Sequence, residues 1–236
     1  MAELVIHNLS KVIRDATVLN NISLEMEAGK VYGLRGKNGS GKTMLMRAIC
    51  GLIVPTEGEI VIDGEQLGKD ISFPRSVGAL IENPAFIPTY TGLKNLQILA
   101  SIQGRIGDER IRETLVQVGL DPDDKRKYKK YSLGMKQRLG IAAAIMENPR
   151  LVVLDEPINA LDEKGVELVR GILQELKAAG SLIIVACHDR EELDALSDEI
   201  FVLEDGKLKG KEDPGHSESP DDHTGGENRG EEEADA

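Results

Sequence analysis

Residues 36–43 read GKNGSGKT. Glycines at 36, 39 and 41 let the backbone curl until successive N–H groups face one point, and Lys42 and Thr43 follow at the spacing G-x4-G-K-[ST]. That combination grips a polyphosphate. The N–H groups from Gly36 through Lys37, Asn38, Gly39, Ser40 and Gly41 form a nest, and a helix starting at its edge points its positive end at the same charge. Lys42 reaches the terminal phosphates, and Thr43 offers a hydroxyl to Mg²⁺. The plainer alternative is a glycine-rich turn between a strand and a helix. The flanking VYGL and TMLMRAIC, strand-like and amphipathic, are the context a phosphate loop needs.

A second group is LVVLDEP, 151–157. Four apolar residues deliver Asp155 and Glu156 to a strand's carboxyl end, where open α/β sheets bind ligands. Asp155 would hold Mg²⁺, directly or through water, and Glu156 could take a proton from an attacking water. His188 closes another apolar strand, LIIVAC, and an imidazole can donate to a phosphate at neutral pH. The plainer alternative is a structural side chain, but its place at a strand's carboxyl end after the nucleotide motifs favours the phosphate role. Ser132-Leu133-Gly134 precedes a stretch with Met135, Leu139, Ala142 and Met146 on one helical face. That is either an ordinary Ser N-cap or another helix start open to an anion. In GALIENPAF, 78–86, an apolar run stops at Glu82 before an Asn-Pro turn. Such a carboxylate is either a solvated strand end or a working group.

Positioning these groups requires a sheet. Strand-like runs recur at 4–9, 31–36, 59–64, 76–81, 151–156, 182–187 and 199–206. Several are apolar on both faces, as central parallel strands are. Helical stripes lie between them: Ile111, Leu115 and Val118 in one, Val166, Val169, Leu173 and Leu176 in another. Strand–helix alternation predicts an α/β parallel sheet. From about 84 to 148 the alternation lapses into helices and loops, which predicts a helical insertion. From about Lys211 onward the chain holds ten acids, two bases and almost no large apolar residue, which predicts a disordered acidic tail.

Composition excludes several roles. The net charge is −12, most of it in that tail, so the body is near electrical balance and offers no basic footprint for nucleic acid. Trp is absent and aromatics make up 3%, which argues against base-stacking platforms for nucleic acid. No apolar run approaches the ~20 residues that span a bilayer. No N-terminal stretch has the pattern of a signal peptide. Cys50 and Cys187 sit among apolar neighbours and read as small buried hydrophobes.

YSLGMKQRLGIAAAIMENPRLVVLDEP, 131–157, taken with the phosphate loop, resembles the nucleotide-binding subunit of an ABC transporter, and the resemblance covers about residues 3–210. It implies the fold of that family: a P-loop NTPase core with a mainly parallel sheet, a small antiparallel β subdomain and a helical insertion. It implies ATP and Mg²⁺ as ligands and ATP hydrolysis as the reaction, with Glu156 and His188 catalytic beside Lys42. The usual Leu-Ser-Gly-Gly-Gln signature corresponds here to Tyr131-Ser132-Leu133-Gly134-Met135. Ser132 and Gly134 keep the phosphate-binding positions; Tyr131, Leu133 and Met135 depart. In the family this segment closes over ATP held by another subunit, which implies a homo- or heterodimer, with Asp162 ending the D-loop Asn159–Asp162. The position of the base-stacking aromatic corresponds to Ile13. Glu82 stands where the Q-loop usually carries Gln, which implies a metal ligand set of Thr43, Glu82 and Asp155. That Glu, with ENPAF after it, resembles the branch serving bacitracin and lantibiotic self-protection exporters.

The resemblance thus implies a cytoplasmic subunit, peripheral on the inner face of the cell membrane, that powers a separate permease. A soluble ABC protein acting as an assembly or regulatory clamp is the alternative.

Overall fold

Strands that are apolar on both faces must be covered on both. Val31–Arg35 (β3), Leu151–Asp155 (β7) and Leu182–Ala186 (β8) are buried almost throughout, with only Arg35 partly open. Side chains alternate across the sheet with period two. Val152, Leu154, Ile183 and Val185 therefore join one core, and Leu151, Val153, Leu182 and Ile184 join the other. The computed structural model describes residues 3–215 and resolves how each core is closed.

The central sheet has the order β10-β9-β3-β8-β7-β6. Val77–Leu80 (β6), β7, β8, β3 and Glu199–Glu204 (β9) are parallel, and Lys207–Glu212 (β10) runs antiparallel at the edge. Glu3–Ile13 (β1), Ala16–Glu27 (β2), Glu57–Ile62 (β4) and Glu65–Gln66 (β5) form a second, antiparallel sheet in the order β2-β1-β4-β5. Lys42–Ile49 (α1) lies between the sheets and buries Leu45, Met46 and Ile49 in their shared core. Each such fully buried side chain contributes about 1.5–3 kcal/mol. The other core lies under Gly92–Gln103 (α2), Asp108–Gln117 (α3), Leu133–Ile145 (α4), Glu163–Ala178 (α5) and Arg190–Leu196 (α6).

The expected α/β class and parallel sheet are present, and between β6 and β7 the described chain holds helices and no strand. The stripes of α3 and α5 face the core, except that Val166 is only partly buried. β2 was missed by periodicity. Its pairing with β1 slips register at three places, and buried and exposed residues alternate regularly only from Ile22 to Glu27, after a break at Asn20 and Asn21. The expected tail boundary needs correction. Lys211 and Glu212 belong to β10, pairing with Phe201 and Ile200, and Lys211 forms an ion pair with Glu199. The remainder of the expected tail, 216–236, lies outside the described residues.

The register sets which residues share one rim of the sheet. Leu34 and Asp155 both stand opposite Ala186, and Leu80 stands opposite Leu154. Arg35 and Gly36, Cys187 and His188, Glu156, and Ile81 and Glu82 therefore emerge together at the carboxyl edge of the sheet.

Candidate functional site

The glycine-rich loop leaves β3 at Arg35 and enters α1 at Lys42. A Cβ on Gly36 would lie 2.3 Å from the Leu203 carbonyl and 2.4 Å from Ser40 Oγ, so only glycine fits there. Gly41 caps α1 with φ +104° and without a side-chain hydrogen bond. The leading N–H groups of α1 therefore remain for a ligand. Ser40 is buried, and among the described residues its Oγ has no hydrogen-bond partner. Lys42 is also buried; its Nζ folds back to donate to the carbonyls of Gly36 at 2.6 Å and Lys37 at 3.3 Å. A buried ammonium held by carbonyls alone, beside an uncapped helix start and an orphaned hydroxyl, suits a polyphosphate.

Thr43 Oγ1 donates to Asp155 Oδ2 at 2.7 Å, joining the first turn of α1 to the end of β7. The two groups present hard oxygen donors side by side, a set that fits Mg²⁺. One residue on, Glu156 adopts φ +53°. For a residue with a Cβ this costs about 1–3 kcal/mol and persists only where its surroundings impose it. Its N–H donates to the Ala186 carbonyl at 2.8 Å, and its own carbonyl accepts from Asn159 N–H at 3.2 Å and Gln137 Nε2 at 2.8 Å. The carboxylate accepts from His188 N–H at 3.1 Å, and its Oε1 lies 3.4 Å from His188 Nε2. Burial pushes the Glu156 carboxyl above its ordinary range, against the lowering effect of the His188 N–H. A carboxylate so raised is a stronger proton acceptor once ionised.

These groups line one cleft of about 520 Å³, shared by Asn38 through Met44, Glu82, Asp155, Glu156 and His188. Glu82 also has a left-handed backbone, φ +63°. Its side chain is 61% exposed and accepts from Arg47 of α1 at 2.5 Å. The expected metal set is thus only partly assembled: Thr43 and Asp155 touch each other, while Glu82 faces the cleft but is engaged by Arg47.

Ser132, Gly134 and Asp162 do not line this cleft. Ser132 caps α4, accepting from Met135 N–H at 3.2 Å. Asp162 caps α5, accepting from Gly165 N–H at 3.0 Å and from Arg138 at 3.1 Å. A Cβ on Gly134 would lie 3.0 Å from the Ala160 carbonyl, so these segments pack against each other. Ile13, the expected base-stacking position, is 41% exposed and does not line the cleft, whereas Val18 does. Gln137 was missed altogether. Its signal was a polar residue beside the apolar positions of α4, visible only once the stretch from Gln137 to Ile145 is seen to be mostly buried.

The chain matches the ABC transporter family over residues 19–159. It is 51% identical over 205 residues to an uncharacterized ABC transporter ATP-binding protein, YybJ, of Bacillus subtilis (strain 168), covering 87% of this chain and 94% of that protein. It is 41% identical over 203 residues to the bacitracin transport ATP-binding protein BcrA of Enterococcus faecalis, covering 85% of this chain and 66% of that protein. A dimeric structure of the ATP-binding cassette MJ0796 in a post-hydrolysis state, bound to ADP and Pi, superposes with a TM-score of 0.80 at 26% identity, covering 89% of this chain and 98% of that one.

Proposed function

This chain belongs to the ABC transporter family as an ATP-binding subunit with ATPase activity, and from that premise we propose that it powers a separate membrane permease exporting peptide antibiotics or related compounds. The observation that carries the hydrolytic reading is the convergence of Lys42, Thr43, Asp155, Glu156 and His188 on one cleft. Lys42 leaves its loop carbonyls to hold the terminal phosphates. Glu156 accepts the proton of the water that attacks the γ-phosphorus, and ADP departs. His188, in contact with the Glu156 carboxylate, donates toward the γ-phosphate. Thr43 and Asp155 would hold Mg²⁺, which would offset phosphate charge. Glu82, held by Arg47, would be free to add an oxygen to that set only once the ion pair opens.

Ser132, Gly134 and Asp162 are the groups that complete a partner subunit's site. Their placement outside this chain's own cleft supports that reading, as does the dimer formed by the MJ0796 cassette. Among the described residues no helix is long and apolar enough to cross a membrane, which suits a subunit held on the inner face of the membrane by its permease. The export direction and cargo class rest on the likeness to the bacitracin transport protein.

The test is reconstitution. The chain is co-expressed with a candidate polytopic membrane protein, and ATP-dependent peptide movement is measured in vesicles. Stable co-purification and transport abolished by Glu156→Gln are expected. ATP turnover without association with any membrane protein would overturn the permease assignment and leave the ATPase intact.

A further inference from the structure

Gln137 is 8% exposed and lies on α4, where the other buried residues are Leu139, Gly140, Ile141, Ala142, Ala144 and Ile145. It also lines the nucleotide cleft. Its Nε2 donates to the Glu156 carbonyl at 2.8 Å. Because a carbonyl only accepts, that contact also orients the amide. The same carbonyl accepts from Asn159 N–H at 3.2 Å. Asn159, however, belongs to the turn that follows Glu156 and moves with it, whereas Gln137 reaches in from a separate helix.

The direction of the Glu156 carbonyl reports its ψ, and φ and ψ together aim its Cα–Cβ bond. The N–H is anchored on Ala186 at the end of β8. The carboxylate touches His188. The carbonyl is the remaining handle on a left-handed residue that the chain would otherwise tend to relax.

We propose that Gln137 is a positioning residue for ATP hydrolysis: by holding the Glu156 carbonyl from α4, its amide aims the Glu156 carboxylate into the cleft. The inference rests on Glu156 being the proton acceptor. It also ties that acceptor to the helix whose first turn carries Ser132 and Gly134. Any shift of α4 against β7 moves the group that holds Glu156 in place.

Gln137→Met keeps length and removes the donor. Turnover and ATP affinity are measured for this variant in the wild-type and Glu156→Gln backgrounds, with melting temperature as a check on folding. kcat should fall about ten- to a hundredfold, the usual effect of slightly misplacing a reacting group. ATP affinity should stay within about twofold, since Gln137 acts through Glu156. In the Glu156→Gln background the same change should add no further loss, because there is no acceptor left to position. Gln137→Asn, one methylene too short, should show the same pattern and guards against misfolding of the Met variant. Normal kcat in both variants, a matching loss of ATP affinity, or an additional tenfold loss in the Glu156→Gln background would overturn the proposal. Wild-type turnover by Glu156→Gln itself would overturn the proton-acceptor reading along with it, whereas an inactive Glu156→Gln beside a normal Gln137→Met overturns this inference alone.

Discussion

Glu82 and Glu156 follow the ends of two neighbouring parallel strands, β6 and β7, and both adopt a left-handed backbone at the edge of one cleft. Their surroundings divide them. Glu156 is half-buried, hydrogen-bonded at its N–H, carbonyl and carboxylate, and harder to ionise than an ordinary glutamate. Glu82 is mostly exposed, and Arg47 holds its carboxylate. Position at a strand end brings a carboxylate to the ligand. Burial and the number of fixed contacts decide what it does there.

The largest expected effect separates the pair outright. Glu156→Gln should lower ATP turnover by about 10²–10⁴-fold, the usual worth of a general base, while nucleotide still binds and an ATP-locked dimer accumulates. Glu82→Gln should remain within a few-fold of wild type. Steady-state rates and size-exclusion profiles with ATP check both, and equal losses would erase the distinction.

The raised carboxyl of Glu156 adds a pH dependence. A carboxyl whose folded value lies above the ordinary 4.5 holds its proton more tightly folded than unfolded. Its contribution to stability is therefore full below that ordinary value and is lost as pH rises through the folded one. At pH 7–8 Glu156→Gln should melt above wild type, and below pH 4.5 the two should converge. The acid limb of kcat should likewise fall above the ordinary carboxylate range and vanish from the residual rate of the variant. A variant that melts at or below wild type at pH 8 would contradict this.

A smaller effect is expected at Glu82. Glu82→Ala should raise the Mg²⁺ concentration for half-maximal turnover by several-fold. Arg47→Ala, which frees Glu82, should lower it. Melting temperature should barely move in either, because an exposed ion pair contributes about 1 kcal/mol or less. An unchanged Mg²⁺ titration in both variants would return Glu82 to the role of a solvated strand end.

The smallest change lies away from both carboxylates. Ile13→Tyr could bring a ring toward the base, and aromatic pairing adds about 0.5–1.5 kcal/mol beyond area burial. Titrations should show ATP affinity gaining several-fold at most and weak preference for ATP over GTP in the parent protein. Strong ATP selectivity in the parent would show that Val18 and its neighbours already define a base site.

By itself the sequence determined the parts whose chemistry is contiguous in the chain. GKNGSGKT marked a glycine-rich turn between a strand and a helix, and β3 and α1 flank it. The two-faced apolar runs announced β7 and β8, because a strand buried on both sides needs no polar alternation. Asp155 and Glu156 at the end of such a strand could be assigned to the rim for the same reason. Only the tertiary structure decided what stands across from each group. It paired Glu82 with Arg47, 35 residues away. It brought Gln137 to the Glu156 carbonyl, and it set Val18 rather than Ile13 in the cleft wall. Periodicity records which side of an element is apolar. A polar partner is chosen by sheet register and helix packing, and neither leaves a local trace in the chain.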